Sequence, residues 1–331
     1  MNFCTLFDSN YISKGIALYL SIKQHTDDFV LYVMAMDKKC EEMLKALDFD
    51  NVVVEYLEDA MTPELSQAKF NRSRAEFCWT CGSFTTHHFL TKYNLSDITY
   101  LDSDLMFFSS PKVIFDELES ASASVGLSPH YIPYNATGEF CVQYCYFKND
   151  SNGLAALTWW KDECLKWCYS QIEDGKYGDQ LYLHYMPIKF AGVHPITNRG
   201  TGIAYWNSFA YKFFEKSLKF KSTLYPYVFF HYSGFNIKWE DNKIIIKECY
   251  YVSNNLRKYL VMPYLSLMKR VYEEFLKVNV DGVEYVKEYG PFKVIVSRLF
   301  RIFSQFDTWH KLKGYLLKKK YTKRISPYSE L

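Results

Sequence analysis

The chain has 331 residues, 49% hydrophobic and 23% charged. That is enough apolar material for one large core or two ordinary ones, and it excludes wholesale disorder. The net charge is +2, but residues 291–331 hold ten Lys/Arg against two acids, +8, which leaves a body of 29 basic and 35 acidic residues at −6. An acidic body with no recognition module argues against nucleic acid as a partner, while the basic tail seeks anions.

No apolar run reaches the ~18 residues that span a bilayer. The chain opens on "NFCTLF" without a charged leader, so a cytoplasmic protein is expected. Nine cysteines, an odd number, lie in apolar segments, as in a reduced compartment. Cys78 and Cys81 form "CWTC" with no second pair. Buried thiols are expected there, with a metal or redox role left open beside them.

In chain order, "NFCTLF" reads as a strand, "DSNY" as a turn and "ISKGIALYLSIKQH" as a helix. "FVLYVMAM", "CEEMLKALDF" and "NVVVEYL" follow as strand, helix and strand. This alternation predicts an α/β fold with a parallel, doubly wound sheet. Residues 58–71 read as a loop and 73–93 as a helix with a weak point at Gly82. "DITYLD" is a fourth strand, and Asp102-Ser103-Asp104 falls at its carboxyl end, where open α/β sheets bind ligands. The segment "PHYIPYNATGEF", 129–140, is either an acceptor-facing loop or an ordinary surface loop. Then come a strand over "FCVQYCYFKND", a helix over 152–172 and a short helix opened by "GDQLYLHYMP". "YVFFHYSGF" is an apolar strand ending in a turn with His231. Residues 254–277 and about 292–317 read as two C-terminal helices. The expected division is a catalytic unit over 1–240 and a helical region with a basic tail over 241–331.

Two aspartates one residue apart can both reach one hard cation such as Mg²⁺ or Mn²⁺ if the strand end bends. Asp and Ser also favour plain turns and caps, and spacing alone leaves both readings standing. His231, at a strand end, is either a structural histidine or a third ligand. Gly-Asp-Gln at 178–180 is either a helix cap or part of a site. Arg72 and Arg74 open a helix, where the macrodipole disfavours them. A bound anion suits them, and so does Glu76.

The flanks add a resemblance. "YLDSDLMFF" with a proline three residues on resembles the DxD element of GT-A-fold glycosyltransferases, in particular the family 8-like group and a bacterial subgroup of it. "FDSNY" is similar to that group's DxNY element, and "HYSGFNIKW" to its His-x-x-Gly segment with Lys and Trp. The resemblance implies a GT-A, Rossmann-like fold with a mixed, mostly parallel sheet flanked by helices and a C-terminal helical extension. It implies Mn²⁺ or Mg²⁺ on Asp102, Asp104 and His231. It implies a nucleotide site at Phe7, Asp8, Asn10, Tyr11, Arg74, Asp102, Ser103 and Lys238, with Asp8 on a uracil base. The lysine stands one residue later than the usual pattern, and the following proline is missing. Cys141, Val142 and Gln143 replace the usual Asn-Ala-Gly at the sugar, and Val142, Gln143 and Gly234 are placed beside sugar or acceptor. Asp179 and Gln180 are placed at the reacting centre: Asp179 as the base for inversion, Gln180 lining the sugar for retention.

The implied activity is transfer of a sugar from a UDP-sugar to a glycan or lipid-linked acceptor hydroxyl in bacterial surface polysaccharide synthesis. The alternatives are a nucleotidyltransferase, disfavoured by the missing Gly-rich phosphate loop, and a non-catalytic sugar-nucleotide or membrane module. Residues 292–324 alternate apolar and basic faces, as in a helix lying on the inner face of the cytoplasmic membrane. A docked C-terminal helix with a solvated basic end is the other reading.

Overall fold

Continuous apolar runs set the frame. In the computed structural model, which describes residues 1–132, 137–240, 243–248 and 252–278, strand β1 (Asn2–Phe7) leads into helix α1 (Ile12–Lys23). Strand β2 (Val30–Ala35), helix α2 (Lys38–Leu47) and strand β3 (Val52–Tyr56) continue the alternation. After a short 3₁₀ turn come α3 (Pro63–Asn71) and α4 (Arg74–Lys92). Strands β4 (Asp97–Leu101) and β5 (Leu105–Phe107) bracket the Asp-Ser-Asp turn. Helix α5 (Lys112–Ser120), strands β6 (Val125–Pro129) and β7 (Phe140–Lys148), and helices α6 (Ser151–Lys166) and α7 (Leu181–Lys189) follow.

Short strands then succeed one another: β8 (Val193–Pro195), β9 (Ile203–Ala204), β10 (Lys212–Phe213), β11 (Ser217–Phe220), β12 (Thr223–Pro226) and β13 (Phe229–His231). The hairpin β14 (Phe235–Glu240) and β15 (Lys243–Glu248) precedes a helical stretch. That stretch runs as α8 (Asn254–Leu256), a π turn (Arg257–Val261) and α9 (Met262–Lys277).

The main sheet has the order β3-β2-β1-β4-β7-β6-β8. β3, β2, β1 and β4 are mutually parallel, as are β6 and β8, while β7 runs antiparallel to both its neighbours. This is the expected mixed, mostly parallel sheet. β1 and β2 are buried on both faces, which is why they read as unbroken apolar runs rather than alternating ones. One core layer joins α1 and α9 to the sheet, and a second joins α4 and α6 to its other face. Tyr264 of α9 stacks on Tyr232 with ring centres 3.8 Å apart. Residues beyond the expected boundary at 240 therefore share the first core.

Three local expectations differ from the structure. Residues 58–71 are not a loop: Thr62 accepts a hydrogen bond from Leu65 N (3.2 Å) and Pro63 starts α3. Only Leu65 and Ala68 of that helix are buried, so its periodic signal is faint. The helix expected over 152–172 stops at Lys166, where Trp167 turns to extended backbone. Helix α4 runs unbroken through Gly82 and begins on a reciprocal Ser73–Glu76 capping box. The expected helix at 292–317 and the basic tail lie outside the described residues. Among the described residues no helix is long and apolar enough to cross a membrane.

Candidate metal centre and its surroundings

Strand pairing brings the candidate ligands together. β13 lies antiparallel to β5, with His231 opposite Leu105. Tyr232 N donates to the Asp104 carbonyl at 2.9 Å. The chain end of β13 is thereby fixed beside the turn that follows β4. One ligand atom from each of Asp102, Asp104 and His231 falls within 4.8 Å of the others. His231 Nε2 lies 2.8 Å from Asp104 Oδ1 and 3.6 Å from Asp102 Oδ2.

The imidazole is oriented from behind. Its Nδ1 meets Gln143 Oε1 at 2.8 Å, and Gln143 Nε2 donates to Ser128 Oγ at 2.9 Å. Because the amide nitrogen is committed to Ser128, the oxygen faces the ring. Nδ1 therefore carries the hydrogen and Nε2 faces the carboxylates. Trp206 packs edge-on to the ring, 5.1 Å between centres. Such an outer partner sets tautomer and aim in metal-binding histidines. Two carboxylates and one imidazole directed at a common point form a donor set that fits a divalent cation.

Charge in the cluster is unevenly held. Burial alone would raise Asp104, but the His231 charge and Lys14 outweigh it and hold the carboxyl well below its usual range. Asp102 goes the other way: burial pushes it up to about 7, the His231 charge offsetting only part, and the neighbouring Asp104 charge adding to the rise. Its side chain keeps 27% of its exposure, so it is the more open of the two. For His231 burial opposes the proton, but Asp104 prevails and the ring is held well above its ordinary range. Tyr100 donates to Asp102 Oδ1 at 3.2 Å. Cys141 is drawn down to about 6: burial raises it, but the His130 charge and contacts with His130 and His231 prevail.

The loop after β1 forms the other half. Asp8 accepts from Asn10 N (2.9 Å) and Tyr11 N (3.2 Å), a self-closing turn. Its outer oxygen pairs with Arg74. Ser9 is tied through its amide and hydroxyl to Asp37 Oδ2, 3.0 Å each. Phe7, expected at the nucleotide, is a core residue whose ring packs on α1. Ser103 occupies the tip between the aspartates.

Gln143, expected at the sugar, is fully buried and spends both ends of its amide on Ser128 and His231. Val142 is buried in the second core layer. Gly234 turns the chain between β13 and β14 with φ of 75°, a left-handed conformation that glycine adopts freely. Lys238 stands opposite Ile245 in the β14–β15 hairpin. Asp179 is buried, and burial first, then the Cys168 and Asp102 charges, push its carboxyl well above the usual range. The N-cap of α7 is Gln180, whose side chain makes no capping bond. Gln180 Nε2 donates to Thr137 O (3.1 Å) and Oγ1 (2.7 Å). Arg72 is buried away from the cluster, bonded to Thr80 Oγ1 and Leu165 O and lying over the Tyr169 ring. Glu76 caps α4 and accepts from Ser170 N at 2.7 Å; Arg74's partner is Asp8.

Lys14, Tyr100, Ser128 and Trp206 were not anticipated. Lys14 had one signal: a lysine in the first turn of a helix whose neighbours Ile12 and Ile16 are both apolar.

The fold and the strand-end cluster define a class: an α/β protein similar in architecture to GT-A glycosyltransferases. The solved galactosyltransferase LgtC, in complex with donor and acceptor sugar analogues, matches over 84% of this chain and all of its own, with a TM-score of 0.50 at 14% identity. No protein-family profile matches the chain. The uncharacterized protein YfnD of Bacillus subtilis is 31% identical over 290 residues, covering 85% of this chain and 92% of YfnD. The uncharacterized YfnF of the same organism is 30% identical over 253 residues, covering 71% and 82%. The chain belongs to the family of YfnD and YfnF.

Proposed function

We propose that this protein is a glycosyltransferase that moves a sugar from a UDP-type nucleotide sugar to an acceptor hydroxyl, with Mn²⁺ or Mg²⁺ on Asp102, Asp104 and His231. The observation that carries the reading is the β5–β13 pairing. It sets an imidazole nitrogen 2.8 and 3.6 Å from the two carboxylates at the strand ends of a fold like that of LgtC. A cation held there would supply positive charge against the departing diphosphate.

The chain's own residues do the rest. Base and ribose are assigned to Asp8, Asn10 and Tyr11, in the turn that the Asn10 and Tyr11 amides close on Asp8 and that Arg74 pairs with. Ser103 and Asp102 face the nucleotide side of the turn, and Lys238 and Gly234 belong to the segment that closes on diphosphate and sugar. Asp179, buried and with its proton affinity raised by that burial, and Gln180 are assigned to the reacting centre, Asp179 as the base if transfer inverts and Gln180 lining the sugar if it retains. The acceptor is a glycan or lipid-linked glycan of a bacterial surface polymer, and the ten basic residues after 290 support contact with the inner membrane face.

Thermal unfolding with UDP, GDP and CMP, with and without Mn²⁺, tests the reading. Ligand at about 100 times its Kd stabilises a protein by about 2.7 kcal/mol. A UDP shift that requires Mn²⁺ and disappears in Asp104→Asn is expected. No shift with any nucleotide, or a UDP shift that survives that substitution, overturns it.

A further inference from the structure

Lys14 sits where the two halves of the site meet. It is the third residue of α1 and is nearly buried, 9% exposed. Its Nζ lies 3.4 Å from Asp104 Oδ2 and 4.4 Å from the centre of the Tyr11 ring. Asp104 belongs to the cation cluster and Tyr11 to the Asp8 turn. The ammonium thus occupies the ground between base-and-ribose contacts and the metal ligands. The link between ribose and sugar in a nucleotide sugar is a diphosphate. Among the described residues, Lys14 is the one lysine or arginine ion-paired with either aspartate of the cluster.

Its position is fixed by its neighbour. A Cβ on Gly15 would lie 2.2 Å from the Phe7 ring, so only glycine lets α1 settle this closely on the end of β1. The seat holds Lys14 over the strand ends rather than in solvent.

The charge balance gives the residue a job. In the proton-free form that ligates a cation, two carboxylates and a neutral imidazole carry −2. A divalent ion brings them to zero, and Lys14 brings the loaded cluster to +1. A fixed ammonium opposes a cation arriving alone and favours a cation that arrives with a polyanion. We propose that Lys14 is a diphosphate-binding residue that couples cation binding to nucleotide binding, weakening the first alone and strengthening the two together. The inference rests on the nucleotide-sugar reading of the site.

The test is calorimetric titration of the full chain, wild type, Lys14→Met and Lys14→Arg. MnCl₂ is titrated alone, then UDP and inorganic pyrophosphate are titrated at saturating MnCl₂. Lys14→Met is expected to bind Mn²⁺ alone about three- to tenfold more tightly and both phosphate probes about tenfold more weakly. Lys14→Arg keeps the charge and is expected within about threefold of wild type for all three. Parallel unfolding scans confirm that each variant is folded.

Opposite signs in the two arms are the signature. If Lys14→Met weakens Mn²⁺ as much as it weakens pyrophosphate, Lys14 only steadies Asp104 and the inference is wrong. If it leaves both phosphate probes unchanged, the inference is wrong and the UDP reading stands. Wild type that binds Mn²⁺-pyrophosphate but not UDP sinks the nucleotide reading, while the pyrophosphate arm still decides Lys14. Wild type that binds neither sinks both.

Discussion

The two halves of the candidate site are built in contrasting ways. On the His231 side, the donor set is backed by buried groups: Gln143 and His231 are nearly or wholly removed from solvent, and Ser128 and Trp206 complete the shell. On the Asp8 side, the carboxylate is held by its own turn and by Arg74, whose side chain is 68% exposed. A cation demands fixed distances between its ligands, and a buried shell supplies them. A base and ribose can be met by an exposed turn that adjusts. The contrast separates a preorganised half from an adaptable one, and substitutions in each should behave accordingly.

The largest effect falls on the ligands themselves. Asp104→Asn removes a ligand charge and leaves Lys14 beside a neutral amide. Cation affinity by calorimetry should fall at least about 100-fold, beyond the 10–100-fold typical of outer-shell losses. Breaking a fully buried ion pair costs about 3–5 kcal/mol and a partly exposed one such as Asp104, with 14% of its side chain exposed, costs less, so the measurement needs folded protein. A change under threefold would dissolve the cluster as a binding site.

Next comes the shell. Gln143→Leu keeps the volume and deletes the acceptor for His231 Nδ1–H. Cation affinity should fall about 10- to 100-fold. In ¹⁵N spectra at high pH, His231 should change from a single Nδ1–H tautomer to a mixture. If tautomer and affinity both stay as in wild type, the rear shell is packing alone and the contrast between halves weakens.

The pH dependence follows from the same groups. Asp102 is raised to about 7 by burial, with the Asp104 charge adding to it, and His231 is raised well above its ordinary range by Asp104 against the effect of burial. Both hold protons near neutrality in the cation-free protein, and a divalent ion must displace them. Cation affinity therefore rises with pH, by about one to two protons released per ion between pH 6 and 8. Titrations in buffers of different ionisation enthalpy read that number directly. A flat profile would mean that the carboxylates and ring are already proton-free.

Much of this was legible before folding. β1, β2 and β4 announce themselves as apolar runs, and Asp102 and Asp104 as carboxylates at a strand's carboxyl end. Helix α3 was not legible, because only two of its residues are buried and its signal sits below that of a loop. The end of α6 at Lys166 carries no glycine or proline to mark it. The bond between Gln143 and His231 spans 88 residues. Periodicity tells which face of β7 looks inward but not which residue of a distant strand it meets. Resemblance placed Gln143 at the sugar by position along the chain. The fold commits its amide to the histidine instead, because β13 reaches the end of β4 through β5 rather than through the main sheet.

The smallest predicted effect is the one that tests the adaptable half. Arg74→Ala deletes an exposed ion pair to Asp8, and such pairs are worth roughly 0–1 kcal/mol. Asp8 keeps its bonds to the Asn10 and Tyr11 amides, so the turn should hold its shape. Cation affinity should not change, and UDP affinity should shift by less than about fivefold, the equivalent of 1 kcal/mol. Salt should erase most of that difference, since an exposed pair is screened. A tenfold loss of cation affinity in Arg74→Ala would be the telling failure. It would mean that the Asp8 turn and the Asp102–Asp104 turn, which flank β1 and β4 as adjacent parallel strands, move as one body, with Lys14 as the bridge that transmits the change.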